Sequence, residues 1–535
     1  MIISQRMQRG RSIKAAFGAV LIMGGLAPAA GQAQEAPLDV IIRGGMIYPG
    51  GAAPFKGDVA IRDDRIVYVG KRAPGQAKRI IDAKGLIVAP GFIDPHTHAG
   101  DALASDEPAA RLVLPFLTQG VTTAFIGVDG GGDPDIKAVF EGEKPRGKGI
   151  NFASYVGLGA VRLKVLGAAD RAPTTAELGR MNTLVAGAMC EGAMGLSTGL
   201  FYAPQSFAKQ DEVVSLARTA AARGGIYDSH IRDESSYTIG LAGAIDEALE
   251  IGRQTGIPVH IGHIKALGVD VQGQAPAIIA KIEAAQRAGL TVHADQYPWS
   301  ASGTGLSAAL MPRWAQDGGR EAMLRRLDDP AQLARIRPEM VDNLRRRGGA
   351  ASLLITSGPA GTEAKTLEAI AQETGADPVD AAIAVLRRGE AGVASFNQSE
   401  DDIAAFMKQP WVVTSSDASH GHPRYYASYA RKYATYVKER GVIDLATFID
   451  RSTVVTAGLF ALEGRGQLKP GAYADVIAFD PKTFGPRADY TNPTLFSRGM
   501  RTVLVNGQIA IDDGAPTGVA AGRPLRRTPK AGSCG

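Results

Sequence analysis

Runs of β-branched and apolar residues recur along the chain, and turn signals bound most of them. Near the start, "DVIIRGGMIYPGG" and "GDVAIRDDRIVYVG" read as strands joined by glycine-rich turns, and "ADVIAFDP" and "RTVLVNGQIAIDDG" read the same way near the end. Between them lie eight short runs: "LIVAPGFIDPHTH", "VTTAFIGVD", "INFASYVG", "GAMGLSTG", "GIYDSHIRD", "IPVHIGHIK", "LTVHADQYP" and "WVVTSSD". Helical patterns separate most of these, among them 176–191, 212–223, 242–255 and 275–288. The predicted fold class is α/β. Eight strands with intervening helices are the count of a (β/α)8 TIM-like barrel; a doubly wound open sheet is the rival. The gap between the seventh and eighth runs is too long for one helix. An insertion, mostly helical, is therefore expected over residues 300–410, before the last barrel strand and at the active-site end. A small β-sandwich domain is expected from both chain ends, 34–90 and 465–526, around a barrel of 91–464. The tail "AAGRPLRRTPKAGSCG", residues 520–535, reads as poorly ordered.

Composition narrows the class. Of 535 residues, 45% are hydrophobic and 21% charged, as in soluble globular proteins. The net charge of +5 is dispersed, and the densest basic stretch, "LRRLDDPAQLARIRPEMVDNLRRRGG", mixes acids with bases. That is a solvated helix face, and neither a basic patch nor an aromatic platform points to nucleic acid. Arg6, Arg9, Arg11 and Lys14 precede the apolar run "AAFGAVLIMGGLA", with small residues after it. This is the pattern of a signal peptide over 1–33, removed on export to the periplasm or medium and leaving no stable membrane span. The run is short for a bilayer crossing. Cys190 and Cys534 allow one bridge by count, though nothing in their surroundings argues for it.

The eight histidines place the chemistry. His96 and His98 end the first run and His230 the fifth; His260 and His263 lie in the sixth and His293 in the seventh; His420 and His422 follow the eighth. In a barrel, those strand ends share one face. His96 and His98, two apart, point to the same side of an extended segment. With His230, His263 and a carboxylate they offer enough donors for one or two divalent ions, typically zinc. Asp417 closes "TSSD" at the eighth strand end, where a carboxylate can shuttle a proton; capping of the next helix is the plainer use.

These residues resemble the amidohydrolase superfamily, whose strand-one His-x-His motif matches "GFIDPHTH". The chain is more narrowly similar to the N-acyl-D-amino-acid deacylases (D-aminoacylases). "GAMGLSTGLFYAP", "YDSHIRDE", "HIGHIKALG", "DQYPWSASGTGL", "SSDASHGHPRYYASYAR" and "LKPGAYADVIAFDP" carry that resemblance over about residues 38–526. It implies hydrolysis of the amide of an N-acyl-D-amino acid or peptide. It also implies metal ligation by His96, His98, His230 and His263, and acid/base work by Asp417. Lys265, Tyr297 and Arg424 would hold the substrate carboxylate and carbonyl, with Tyr202 beside them. Where the family has a cysteine ligand, the run "GVTTAFIGVDGGG" places Asp129. A carboxylate is a harder donor that can bridge two ions, which makes manganese or cobalt more plausible beside zinc. Gly157-Leu158-Gly159 stands where Gly-His-Gly is usual. Two alternatives share the scaffold: a cyclic amidase or dipeptidase on D- or isoaspartyl-type peptides, and a binding homologue without turnover.

Overall fold

The computed structural model describes residues 37–142, 147–419 and 421–534. The predicted signal segment and His420 lie outside these residues. Among the described residues, no helix is long and apolar enough to cross a membrane.

Both chain ends build one nine-stranded sheet. Leu38–Ile47 pairs antiparallel with Phe55–Arg62 and parallel with Ala77–Asp82 and Ile87–Pro90. Val476–Phe479 then pairs antiparallel with Ile87–Pro90, so the C-terminal strands continue the sheet that the N-terminal ones begin. Val40, Ile42, Val59, Ile61, Val476 and Leu504 pack as its apolar core.

The middle of the chain is α/β with parallel strands. Phe92–Asp94, Val121–Ile126 and Asn151–Ser154 pair parallel in chain order. Val156–Gly157, Gly195–Gly199, Ile226–His230, Val259–Ile261, Val292–Gln296 and Val412–Thr414 form a second parallel series, again in chain order. A parallel bridge between Thr97 and Ala418 joins the segments that follow the first and last strands. Val121–Ile126, Gly195–Gly199 and Ile226–His230 are buried along their whole length, as strands covered on both faces must be. The helices cover them with apolar stripes. In Gly240–Thr255, Leu241, Ala244, Ile245, Ala248 and Leu249 are buried at helical spacing. Helix Thr175–Cys190 begins in a capping box, with Thr174 and Glu177 each bonding the other's backbone N–H.

The segment over 300–410 is mostly helical, as expected, but it also holds a small sheet that the sequence pattern did not announce. Its helices surround a three-stranded antiparallel sheet of Ala301–Gly305, Gly392–Phe396 and Leu353–Ser357. Leu306, Leu310, Met340, Leu353, Leu367 and Leu386 give it an apolar core of its own. Its strands are short and glycine-containing, so their alternation is weak in the sequence.

The tail is also not loose. Phe152 donates its N–H to the Arg523 carbonyl at 3.0 Å, and Leu525 donates back to Phe152 at 2.7 Å. Arg527 donates to the Gly192 carbonyl at 3.0 Å, and Cys534 is bridged to Cys190 with Cα atoms 5.7 Å apart. The tail is polar in side chain but anchored through its backbone, which a hydropathy pattern does not register.

Candidate active site

The first, fifth, sixth and eighth strand ends converge on a cavity of about 530 Å³. His96 and His98 follow Phe92–Asp94, and their rings lie 6.1 Å apart. The His263 ring is 4.5 Å from those of both His96 and His230. Asp129 stands among them. Its Oδ1 is 3.2 Å from His96 Nε2 and 3.5 Å from both His230 Nδ1 and His263 Nε2, and its Oδ2 is 3.5 Å from His98 Nε2. Asp417 Oδ1 lies 3.2 Å from His98 Nε2. Burial works to raise the Asp129 carboxyl, but the imidazoles of His96 and His230 hold it well below the usual carboxylate range.

Three of these donors sit on strained backbone. Asp129, His263 and Asp417 have φ of 54°, 35° and 47°, a region that non-glycine residues enter only when their surroundings fix them there. The fixing of Asp129 is visible. Gln205 Nε2 donates to the Asp129 carbonyl at 2.8 Å while its Oε1 accepts from Gly199 N–H at 2.7 Å. A Cβ at Gly199 would stand 2.4 Å from that carbonyl, and one at Gly157 would stand 2.2 Å from the Gly130 carbonyl. The glycines of the fourth and third strand ends are therefore the space into which the Asp129 turn fits. The Gly157-Leu158-Gly159 segment serves this packing, with Leu158 buried in the apolar core.

Asp295 ties the sixth, seventh and eighth strand ends together. It accepts from His263 N–H at 3.0 Å, from the Ser415 hydroxyl, and pairs with His260 Nε2 at 2.8 Å. His260 is thereby turned away from the cavity towards Phe460, its ring 5.0 Å from that phenyl. His422 lines the cavity but lies among Trp299 and Tyr490. His293 is partly buried outside the cluster. Among the seven described histidines, four therefore meet in this cluster.

Lys265, Tyr297, Arg424 and Tyr202 all line the cavity. Each already has a protein partner. Lys265 Nζ pairs with Glu234 and lies 2.7 Å from His263 Nδ1. Arg424 Nη1 is 2.6 Å from Asp417 Oδ2. Burial works to raise the Asp417 carboxyl, and Arg424 with His263 outweighs it, holding the acid in its charged form. The Tyr297 hydroxyl accepts from Gln398 at 2.9 Å, and the Tyr202 hydroxyl from Thr304 at 3.3 Å. Burial pushes both phenols up, so both keep their protons. Glu234 is a residue that the sequence reading passed over. Its Oε1 lies 3.2 Å from His263 Nδ1 and its Oε2 lies 3.7 Å from His230 Nε2. The available signal was a carboxylate four residues after His230 in "HIRDE".

The donor set fits a metal. Both ring nitrogens of His96 and His230, and Asp129 Oδ1, are buried without a hydrogen-bond partner, a costly state unless a cation completes them. One ligand atom each from His96, Asp129, His263 and Asp417 lies within 4.8 Å of the others, and His230, Glu234 and His263 form a second such group. Imidazoles with carboxylates suit a divalent ion of intermediate hardness.

The profile of a family described as "Amidohydrolase family" matches residues 156–511. The N-acyl-D-glutamate deacylase of Alcaligenes xylosoxydans xylosoxydans is 32% identical over 92% of this chain and 97% of its own. The chain belongs to the amidohydrolase family, among its D-aminoacylases. The D-aminoacylase of the same organism is 30% identical, covering 93% of this amidohydrolase and 99% of its own chain. Among solved structures, N-acyl-D-glutamate deacylase of Bordetella bronchiseptica, complexed with zinc and a phosphonate mimic of the tetrahedral intermediate, is 31% identical. It superposes with a TM-score of 0.77 over 92% of this chain and all of its own. A D-hydantoinase, 16% identical with a TM-score of 0.56, shares the fold alone.

Proposed function

We propose that this amidohydrolase cleaves the amide bond of N-acyl-D-amino acids, releasing a carboxylate and the free D-amino acid. The convergence of His98, Asp129, His230, His263 and Asp417 on one cavity, with His96 buried against Asp129, carries this reading. The relatives named as deacylases, aligned over nearly the whole chain, support it. The parallel strand series and the Thr97–Ala418 bridge support a closed (β/α)8 barrel. On that reading residues 91–464 form the barrel, residues 34–90 and 465–526 the small β domain, and residues 300–410 the insertion.

One or two zinc ions, or manganese or cobalt, would be held by His96, His98, Asp129, His230 and His263. When bound, such an ion supplies a Lewis acid that polarises the scissile carbonyl and acidifies water. The chain's own residues do the rest. Lys265 Nζ at 2.7 Å and Glu234 Oε1 at 3.2 Å both stand at His263 Nδ1 and fix the ring with Nε2 turned towards Asp129. Asp417 takes the proton of the attacking water as the carbon–oxygen bond forms. It returns that proton to the nitrogen as the carbon–nitrogen bond breaks. Arg424, Lys265 and the Tyr297 hydroxyl converge where the substrate's α-carboxylate would be oriented, with Tyr202 flanking the acyl side. The inserted segment contributes Ser302, Thr304, Thr356 and Ser357 to the cavity wall and so limits access of bulk water.

The test is a screen of N-acyl-D-amino acids, N-acyl-L-amino acids, D-containing dipeptides and cyclic imides with metal-reconstituted protein. Hydrolysis of the N-acyl-D set is expected. Strict L preference, or turnover of cyclic imides alone, would overturn the assignment. Export after removal of residues 1–33 is part of the proposal, and the Cys190–Cys534 bridge supports it, because disulfides persist in oxidising compartments. N-terminal sequencing of the mature protein checks it.

A further inference from the structure

Arg347 belongs to the inserted segment, directly after helix Pro330–Arg346, and lines the cavity. It is 1% exposed. Its Nε donates to the Tyr237 hydroxyl at 2.7 Å, and its Nη1 has no hydrogen-bond partner. Arg313 stands beside it. The Arg313 Cζ lies 3.9 Å from the centre of the Phe201 ring and that of Arg347 6.0 Å from the same ring, and Arg313 Nη2 is also unpartnered. Burial, together with the charge of Arg347, works to push the Arg313 guanidinium down to about 10. Among the described residues, neither guanidinium is paired with a carboxylate. Glu390, the insertion's own acid at the cavity, is already used. It accepts from Ser307 N–H at 3.0 Å and lies 3.7 Å from Arg320.

Two adjacent buried cations with no carboxylate in contact are costly, and an anion that joins them recovers part of that cost. The Phe201 ring that carries both is stacked on His230, with centroids 5.7 Å apart. The pair is therefore one aromatic ring removed from the ligand cluster, on the fifth-strand side, whereas Arg424 stands by Asp417 on the eighth-strand side. A substrate held at the cluster by its scissile amide could reach Arg347, which lines the same cavity; Arg313 lines a separate cleft with Tyr237 and adds its charge from there.

We propose that Arg347, its charge reinforced by Arg313, is a subsite for a second carboxylate on the substrate, carried by the amino-acid side chain or by the acyl group. A guanidinium suits a planar carboxylate better than an ammonium does. The inference rests on the deacylase reading above and assigns specificity to a residue outside the ligand and acid/base set.

The test compares kcat/KM on N-acetyl-D-methionine, N-acetyl-D-glutamate and N-succinyl-D-methionine for the metal-loaded wild type, Arg347→Met and Arg347→Lys. The wild type is expected to prefer one acid-bearing substrate by tenfold or more, and which one locates the carboxylate. Arg347→Met is expected to abolish that preference through KM, and Arg347→Lys to keep part of it. A wild type indifferent to both acids, or a preference that survives in Arg347→Met, overturns the proposal. If Arg347→Met does not accumulate folded, the same ratio is read on Arg347→Lys. If the wild type hydrolyses none of the three, the deacylase reading fails separately. The subsite is then judged by binding: D-glutamate or succinate is expected to raise the Tm of the wild type above that of Arg347→Met, and equal Tm shifts overturn it.

Discussion

Arg424 closes on Asp417, with Nη1 2.6 Å from Oδ2, so the proposed acid/base is paired with a guanidinium before any substrate arrives. The Asp417 Nδ-bearing isostere cannot accept a proton yet fills the same space. Asp417→Asn is expected to lower kcat by about 10² to 10⁴-fold while metal content is retained. Near-wild-type turnover in that variant, measured with matched metal loading, removes Asp417 from the proton path.

Arg424 has two candidate duties, and kinetics separates them. If it only anchors the substrate carboxylate, Arg424→Met raises KM and spares kcat. Its contact with Asp417 leads us to expect a fall in kcat of at least about tenfold as well, since losing one partner of a buried ion pair leaves the other charge uncompensated. A pure KM effect under saturating substrate would confine Arg424 to binding.

Asp129 is the carboxylate nearest to several imidazoles at once, 3.2 Å from His96 and 3.5 Å from His263. Asp129→Ala is expected to lose at least one metal equivalent after dialysis against a chelator, as read by elemental analysis. Asp129→Cys replaces a hard donor with a soft one and is expected to retain zinc in preference to manganese. Unchanged stoichiometry in Asp129→Ala would show that the histidines suffice.

Lys432 is buried, and its Nζ donates to the Thr414 hydroxyl at 3.0 Å. Burial pushes its ammonium down to about 7, below the ordinary lysine value. The unfolded chain therefore holds this proton across a range in which the folded chain has released it. The stability cost is fully present below about 7 and is relieved as pH rises towards the ordinary lysine value. Stability of the wild type relative to Lys432→Met should thus increase from pH 7 to 9, by no more than about 1.4 kcal/mol per pH unit. Denaturant midpoints measured across that range check it, and parallel pH slopes in the two proteins would contradict it.

The strands and helices of the α/β region were legible because each is a local pattern. The helix expected over 275–288 is found at Ala275–Arg287, and that over 242–255 at Gly240–Thr255. His96, His98, His230 and His263 could be grouped because neighbouring parallel strands bring their C-terminal ends to one side whatever lies between. Other features rest on contacts that no short window contains. Gln205 reaches the Asp129 carbonyl across 76 residues, and Cys190 meets Cys534 across 344. His260 shares the sixth run with His263, yet its bond to Asp295 directs it away from the cavity, towards Phe460. Glu234 was hidden because acids are common on loops, and only its distance to His263 marks it out.

The candidate metal donors come from strand ends, whereas Arg347, Thr356 and Ser357 come from a segment with a separate apolar core. On the proposed reading, bond cleavage and choice of substrate reside in different stretches of polypeptide. Exchanging the stretch between the seventh and eighth strands for that of a relative would be a graft able to change the diet of the enzyme without rebuilding its engine.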